Sequence, residues 1–293
     1  MEKRQIPESE LVVNQDGSIY HLRLKPEQVA DTILLVGDQN RVGRISRYFD
    51  SIEHEVQFRE FVTHTGYVGE KRISVLSTGI GTDNIDIVLN ELDALFNVNL
   101  QTREIKQNPV SLNLIRVGTS GTFQADIPVG SLVLSKAAVG LDALMGFYVY
   151  EKDEVQLEFL KAFSKHMGPD FPINPYFFEA HQDLFEQLLT EDFIPGITAT
   201  CAGFYGPQGR ALRAPIAVQN LIPKLASFSF EETRLTNFEM ETSGIFGMAS
   251  ILGHKACSIN AILANRANGT FSKNPAADVE FLIQAVLDKI EEI

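Results

Sequence analysis

The feature that most constrains this chain is the steady alternation of short, β-branched apolar runs with segments of helical periodicity. The runs at 32–36, 73–77, 114–117, 131–135, 197–200 and 256–263 read as strands. Helical spacing falls at 40–49, 84–96, 157–166, 179–189, 242–252 and 277–292. In the last of these, Val279, Leu282, Ile283, Val286 and Ile290 share one face, behind a start signal at Asn274-Pro275. Such alternation predicts an α/β fold, a central mixed sheet flanked by helices. No repeat and no Ser/Gly/Pro-rich linker divides the 293 residues. We therefore expect a single domain over 1–293, with an N-terminal extension at 1–20 and surface elaborations at 99–113 and 168–176.

Composition narrows the function. A hydrophobic content of 44% suits a folded chain rather than a disordered one. Lys plus Arg number 25 against 38 Asp plus Glu, a net charge of −13 that opposes nucleic-acid backbones and anionic membranes alike. Cys201 and Cys257 are too few for a disulfide framework or a four-thiolate zinc site, and read as free buried thiols. The start MEKRQIPESE lacks the apolar stretch of a signal peptide. The apolar region 129–150 is broken by Lys136 and Asp142, short of the roughly 18 residues a membrane span needs. The expected location is the cytoplasm. Six scattered histidines show no metal-ligand spacing.

Three glycine-rich segments follow predicted strands: Gly37 to Arg41, Ser77 to Gly81, and Arg116 to Gly121. Ligands of open α/β sheets bind beyond the carboxyl ends of strands, and glycine lets backbone N–H groups approach an anion. Arg41, Arg116 and Thr119 add donors that suit phosphate. Any one such turn is as readily a tight strand–helix connection; three together, two with arginine, favour an anion site. In Phe204-Tyr205-Gly206-Pro207-Gln208-Gly209-Arg210, an extended backbone would point Gln208 and Arg210 the same way, with the donors and acceptor that a uracil edge requires, and Phe204 beside them to stack. Alone, that segment reads as a solvated turn. Glu239 and Glu241 flank Met240 ahead of a helix. They suit acid–base work, a vicinal diol, or simply the helix dipole. Asn265-Arg266 ends an apolar strand, where an arginine either snorkels or serves a site.

Taken in order, VGDQNRV, FREF, STGIG, RVGTSG, FYGPQGR, NFEMET and NR resemble the nucleoside phosphorylase family, in its uridine-cleaving branch, from about His21 to Arg266. The resemblance implies a three-layer nucleoside-phosphorylase-like fold and an enzyme of the pentosyltransferase class. It implies a phosphate site of Gly37, Arg41, Arg116 and Thr119, with Arg59 reaching in from a neighbouring subunit. The base site it implies is Gly121, Phe204, Gln208 and Arg210. The ribose site is Glu239, Met240 and Glu241, with His21 offered by a partner subunit, and Arg266 holds the site or its flap. Arg210, Gln208 and Glu241 would carry the catalysis. The implied substrates are uridine or a related pyrimidine nucleoside and orthophosphate as co-substrate, with no cofactor. The implied assembly is a homo-oligomer, dimer or hexamer, with sites shared between subunits. Some relatives hold a monovalent cation with the glutamate matched by Glu60 and a serine; Asn84 stands at the serine position, so no metal is assigned. The alternatives are a purine phosphorylase, a hydrolytic nucleosidase and a non-catalytic nucleoside-binding homologue.

Overall fold

A computed structural model of the protein describes residues 5–293, so residues 1–4 of the expected extension lie outside the described residues. The first half contains β1 (Thr32–Val36), α1 (Gln39–Ser46), β2 (Ser51–Phe58), β3 (Phe61–Val68), β4 (Lys71–Ser77), α2 (Thr82–Asn97), β5 (Val98–Asn99), β6 (Glu104–Ile105), β7 (Asn113–Thr122) and β8 (Leu132–Leu141). The second contains α3 (Glu154–Met167), β9 (Tyr176–Glu179), α4 (Gln182–Leu188), β10 (Phe193–Cys201), α5 (Leu221–Ala226), β11 (Ser229–Phe230), β12 (Thr233–Glu239), α6 (Thr242–Leu252), β13 (Lys255–Asn265), β14 (Thr270–Phe271) and α7 (Pro275–Ile290).

The sheet runs β11-β12-β10-β8-β13-β7-β1-β4-β3-β2 and mixes parallel with antiparallel pairs. The TILLV run of β1 is buried on both faces between parallel neighbours β4 and β7, as a continuous apolar strand should be. Alternation then sorts the core. Ile33 and Leu35 pack toward α2 and α6. Leu34 and Val36 pack toward α1 and α7. A third cluster joins α3 and α5 to β10 and β12. The sheet also closes on itself. Besides its place beside β10, β12 pairs antiparallel with β7 through Phe238–Gly121 and Asn237–Thr122. Strands β7, β13, β8, β10 and β12 thus form a ring.

The six expected strands and six expected helices are present, with shifted ends. Helix α7 buries the five predicted residues, and the Asn274 side chain accepts from Ala277 N–H at its start. Four differences have physical reasons. The RVGTSG segment is not a turn but the second half of β7, hydrogen-bonded along β13. Residues 179–189 are not all helix, because 176–179 pair with β8 as β9 before α4 starts at Gln182. The hairpin β2–β3 was not expected, since β2 is polar and largely exposed and shows little apolar alternation. In the 99–113 segment, β5 and β6 form a small separate sheet, and the Asn97 side chain bonds Val110 through both its carbonyl and its amide. No helix among the described residues is long and apolar enough to cross a membrane.

Candidate active site

The cavity of about 1130 Å³ lies at the carboxyl ends of β1, β4 and β7, where the sheet ring closes. It is lined from the first glycine segment by Gly37, Asp38 and Arg41. Asp38 caps α1 by accepting from Asn40 N–H, which sets Arg41 in the first helical turn. Arg41 Nη1 donates to the Val117 carbonyl at 3.0 Å. Burial, and then the nearby Arg116 charge, lower its guanidinium to about 10. In the second segment Gly79 and Gly81 adopt φ of 76° and 98°, which favour glycine. The anion that Gly81 N–H meets is the chain's own: it donates to Glu241 Oε1 at 2.8 Å.

Arg116 is buried at the centre. Its Nη2 donates to Glu241 Oε2 at 2.6 Å and lies 3.2 Å from Glu239 Oε2, while Nη1 donates to Asn260 Oδ1. Burial alone would lower its pKa, but the two carboxylates more than offset this and hold it above the usual arginine value. Of the five N–H groups on a guanidinium these contacts engage three at most, leaving donors for a ligand. Glu241 is raised from its ordinary value by burial, with Glu239 adding to the shift and Arg116 and Gly81 N–H opposing it. Glu239 is committed within the protein. Its Oε1 accepts from the Thr200 hydroxyl at 2.6 Å, and its Oε2 from the backbone N–H groups of Glu241 and Thr242. Of the three readings open to the acidic pair, Glu239 thus takes the one at the helix start. Met240, Thr119 and Gly121 also line the cavity.

A second group of arginines lines the same cavity. Gln208 and Arg210 meet, but not along an extended strand: residues 206–208 make a 3-10 turn and Gly209 turns left-handed at φ 67°. Arg210 Nη1 donates to Gln208 Oε1 and to the Phe204 carbonyl. The guanidinium sits 3.9 Å over the Phe204 ring, so that face of Phe204 is taken by Arg210. Burial, then the charge of Arg266, lowers the pKa of Arg210. Arg266 braces the turn by donating to the carbonyls of Gln208 and Gly209. A Cβ on Gly121 would stand 3.5 Å from the Phe238 ring, an ordinary contact, so packing against Phe238 does not itself require glycine there.

Two expected residues do not reach the cavity of their own chain. His21 is held by Glu91, which lies 2.6 Å from its Nδ1 and accepts from the His21 and Leu22 N–H groups. Arg59 sits at the β2–β3 turn with φ 54°, over Phe58. Glu60 and Asn84 do line the cavity. Among the described residues no group of three or more His, Cys, Asp or Glu is placed to hold a metal ion. Both cysteines are free and buried; burial pushes Cys201 well up and Cys257 to about 12. Sequence reasoning passed over Asn260 and Thr200. The one available signal was an asparagine inside the apolar run ACSINAILAN.

Residues 31–293 match the family model described as the phosphorylase superfamily. The chain is 33% identical over 262 residues to a uridine phosphorylase of Thermococcus kodakarensis, covering 88% of this chain and 82% of that one. It is 39% identical to a DeoD-type purine nucleoside phosphorylase of Listeria welshimeri, but over only 120 residues, 40% of this chain and 46% of that one. Among solved structures it is similar to a Trypanosoma brucei nucleoside phosphorylase that shows uridine phosphorylase activity. That likeness has a TM-score of 0.88 and 28% identity, and covers 97% of this chain and 100% of that one.

Proposed function

The chain belongs to the phosphorylase superfamily, and from that premise we propose that it is a uridine phosphorylase, converting uridine and orthophosphate reversibly to uracil and ribose 1-phosphate. The observation that carries the reading is that one cavity holds two separate arginine groups. Arg41 and Arg116 stand with Glu241 in one, and Arg210 and Arg266 with Gln208 in the other. A two-substrate displacement of one anion by another needs both.

In this mechanism no side chain is the nucleophile. Phosphate, held by Arg41, Arg116 and Thr119, attacks C1′ opposite the base as the C1′–N1 bond breaks. Glu241 accepts hydrogen bonds from the ribose hydroxyls and fixes C1′ against the phosphate. Negative charge grows on the departing uracil, toward which Arg210 and Gln208 donate; that interaction strengthens in the transition state. Glu239 positions Arg116 and the start of α6. The same donors disfavour cytidine, whose amino group meets Arg210 donor to donor.

For the purine alternative, the position to examine is Asn265. Its amide donates to the Gln124 and Ile127 carbonyls and its Oδ1 accepts from Ala267 and Asn268 N–H. It is thus a fully paired amide with no acid to protonate a leaving purine. We place His21 and Arg59 in a neighbouring subunit's site, within a cytoplasmic homo-oligomer of single-domain chains. The test is uracil release from uridine with and without orthophosphate, with inosine in parallel. Release that requires phosphate supports the proposal; release without it, or faster cleavage of inosine, overturns it.

A further inference from the structure

We propose that Asn260 is a positioning residue that aims Arg116 at the phosphate while keeping its clamp from gaining another negative charge. The inference rests on the reading of Arg116 as a phosphate ligand. Asn260 on β13 stands directly across from Gly118 on β7, and Ser258 across from Arg116. All four positions therefore face α6 on one side of the sheet. The asparagine amide has one consistent orientation: Nδ2 donates to Ser258 Oγ at 3.2 Å, leaving Oδ1 to accept from Arg116 Nη1. Ser258 Oγ is in turn 2.9 Å from Thr242 Oγ1. The backbone makes room for this pair. A Cβ on Gly118 would overlap Arg116 Nη1 and stand 2.7 Å from Asn260 Oδ1. Gly118 thus serves the arginine rather than an anion.

The choice of amide over carboxylate matters because of what already faces Arg116. Glu239 and Glu241 both contact it, and Arg41 lies beyond. An aspartate at 260 would keep the acceptor in place yet tip the balanced cluster of Arg41, Arg116, Glu239 and Glu241 to a net negative charge beside the oxyanion, in a buried setting where it is weakly screened. Its protonated form would mimic asparagine, with the carbonyl accepting from Arg116 and the hydroxyl donating to Ser258.

Inorganic phosphate binding to wild type, Asn260→Asp and Asn260→Ala is measured by calorimetry at pH 5.5 and pH 8, alongside the KM for phosphate and for uridine. Calorimetry does not depend on turnover, so failure of the proposed activity and failure of this inference are separable. Relative to wild type at the same pH, Asn260→Asp is expected to bind phosphate about tenfold more weakly at pH 8. The Asn260→Ala deficit is expected to be the same at both pH values. Uridine KM is expected to stay within about twofold in both variants. Wild-type phosphate affinity at pH 8 in either variant overturns the proposal. If Asn260→Asp does not fold, Asn260→Ala alone decides: phosphate KM raised with uridine KM unmoved supports it, and both raised equally overturns it.

Discussion

Arg210 gives the sharpest prediction at the scale of single residues. Its guanidinium is half-buried, stacked on Phe204 and joined to Gln208. Arg210→Ala is expected to lower kcat/KM for uridine at least about 100-fold, roughly 3 kcal/mol of barrier, while phosphate affinity changes little. Steady-state kinetics with each substrate varied checks this. Glu241 gives a pH prediction. Its raised pKa means that, as pH falls, it takes a proton earlier than an ordinary carboxylate near 4.5. The acid limb of kcat/KM should therefore lie above that value, and Glu241→Gln should lack the limb in its residual activity. The stability sign is opposite to that of a paired surface acid. The folded chain binds this proton more tightly than the unfolded one, so the contribution of Glu241 is greatest in acid and declines as pH rises through its folded pKa. Much of this site was legible from residue types beside glycine, as with Arg41, Arg116 and Gln208. Asn260 and Thr200 were not, because a polar residue inside an apolar run carries no sign of which buried partner it serves.

Thr200 shows how a residue ties elements together. Its hydroxyl donates to Glu239 at the end of β12 and accepts from Ser243 N–H in the first turn of α6, so β10, β12 and α6 meet at one oxygen. Thr200→Val keeps the shape and removes both bonds. We expect a loss of about 1–3 kcal/mol in urea unfolding, together with a higher phosphate KM, because Glu239 no longer fixes Arg116. Elements were read with uneven success for a physical reason. Strands buried on both faces, such as β1, announce themselves by apolar content, and α7 by its period. The SIEHEVQF sequence of β2 lies at the sheet edge with little to bury, and so leaves no apolar pattern to find. The second half of β7 was hidden for another reason. Its glycines look like a turn, yet Gly118 clears space for Arg116 and Gly121 pairs with Phe238 of β12 where the strand ring closes.

For the whole molecule, the placement of His21 and Arg59 outside their own cavity sets up a subunit-mixing experiment. If each site combines one chain's Arg210 with its neighbour's Arg59, then Arg59→Ala and Arg210→Ala are each nearly inactive alone. Dissociated and reassociated together as dimers, they should regain about a quarter of wild-type activity, since half the dimers are mixed and each mixed dimer has one intact site. No recovery, with subunit exchange verified by mass, would place Arg59 elsewhere. The ring formed by β7, β13, β8, β10 and β12 bears on a different matter, how copies of this chain avoid clumping. A closed circuit of strands offers no ladder end for a stranger's backbone to extend. That liability passes to the strands of this sheet with a single partner, β2, β9, β11 and β14; on β2, the longest of them, Glu53 and Glu55 along the rim discourage recruitment by charge. The strands that carry the chemistry are spared the hazard, which falls on the margins of the sheet.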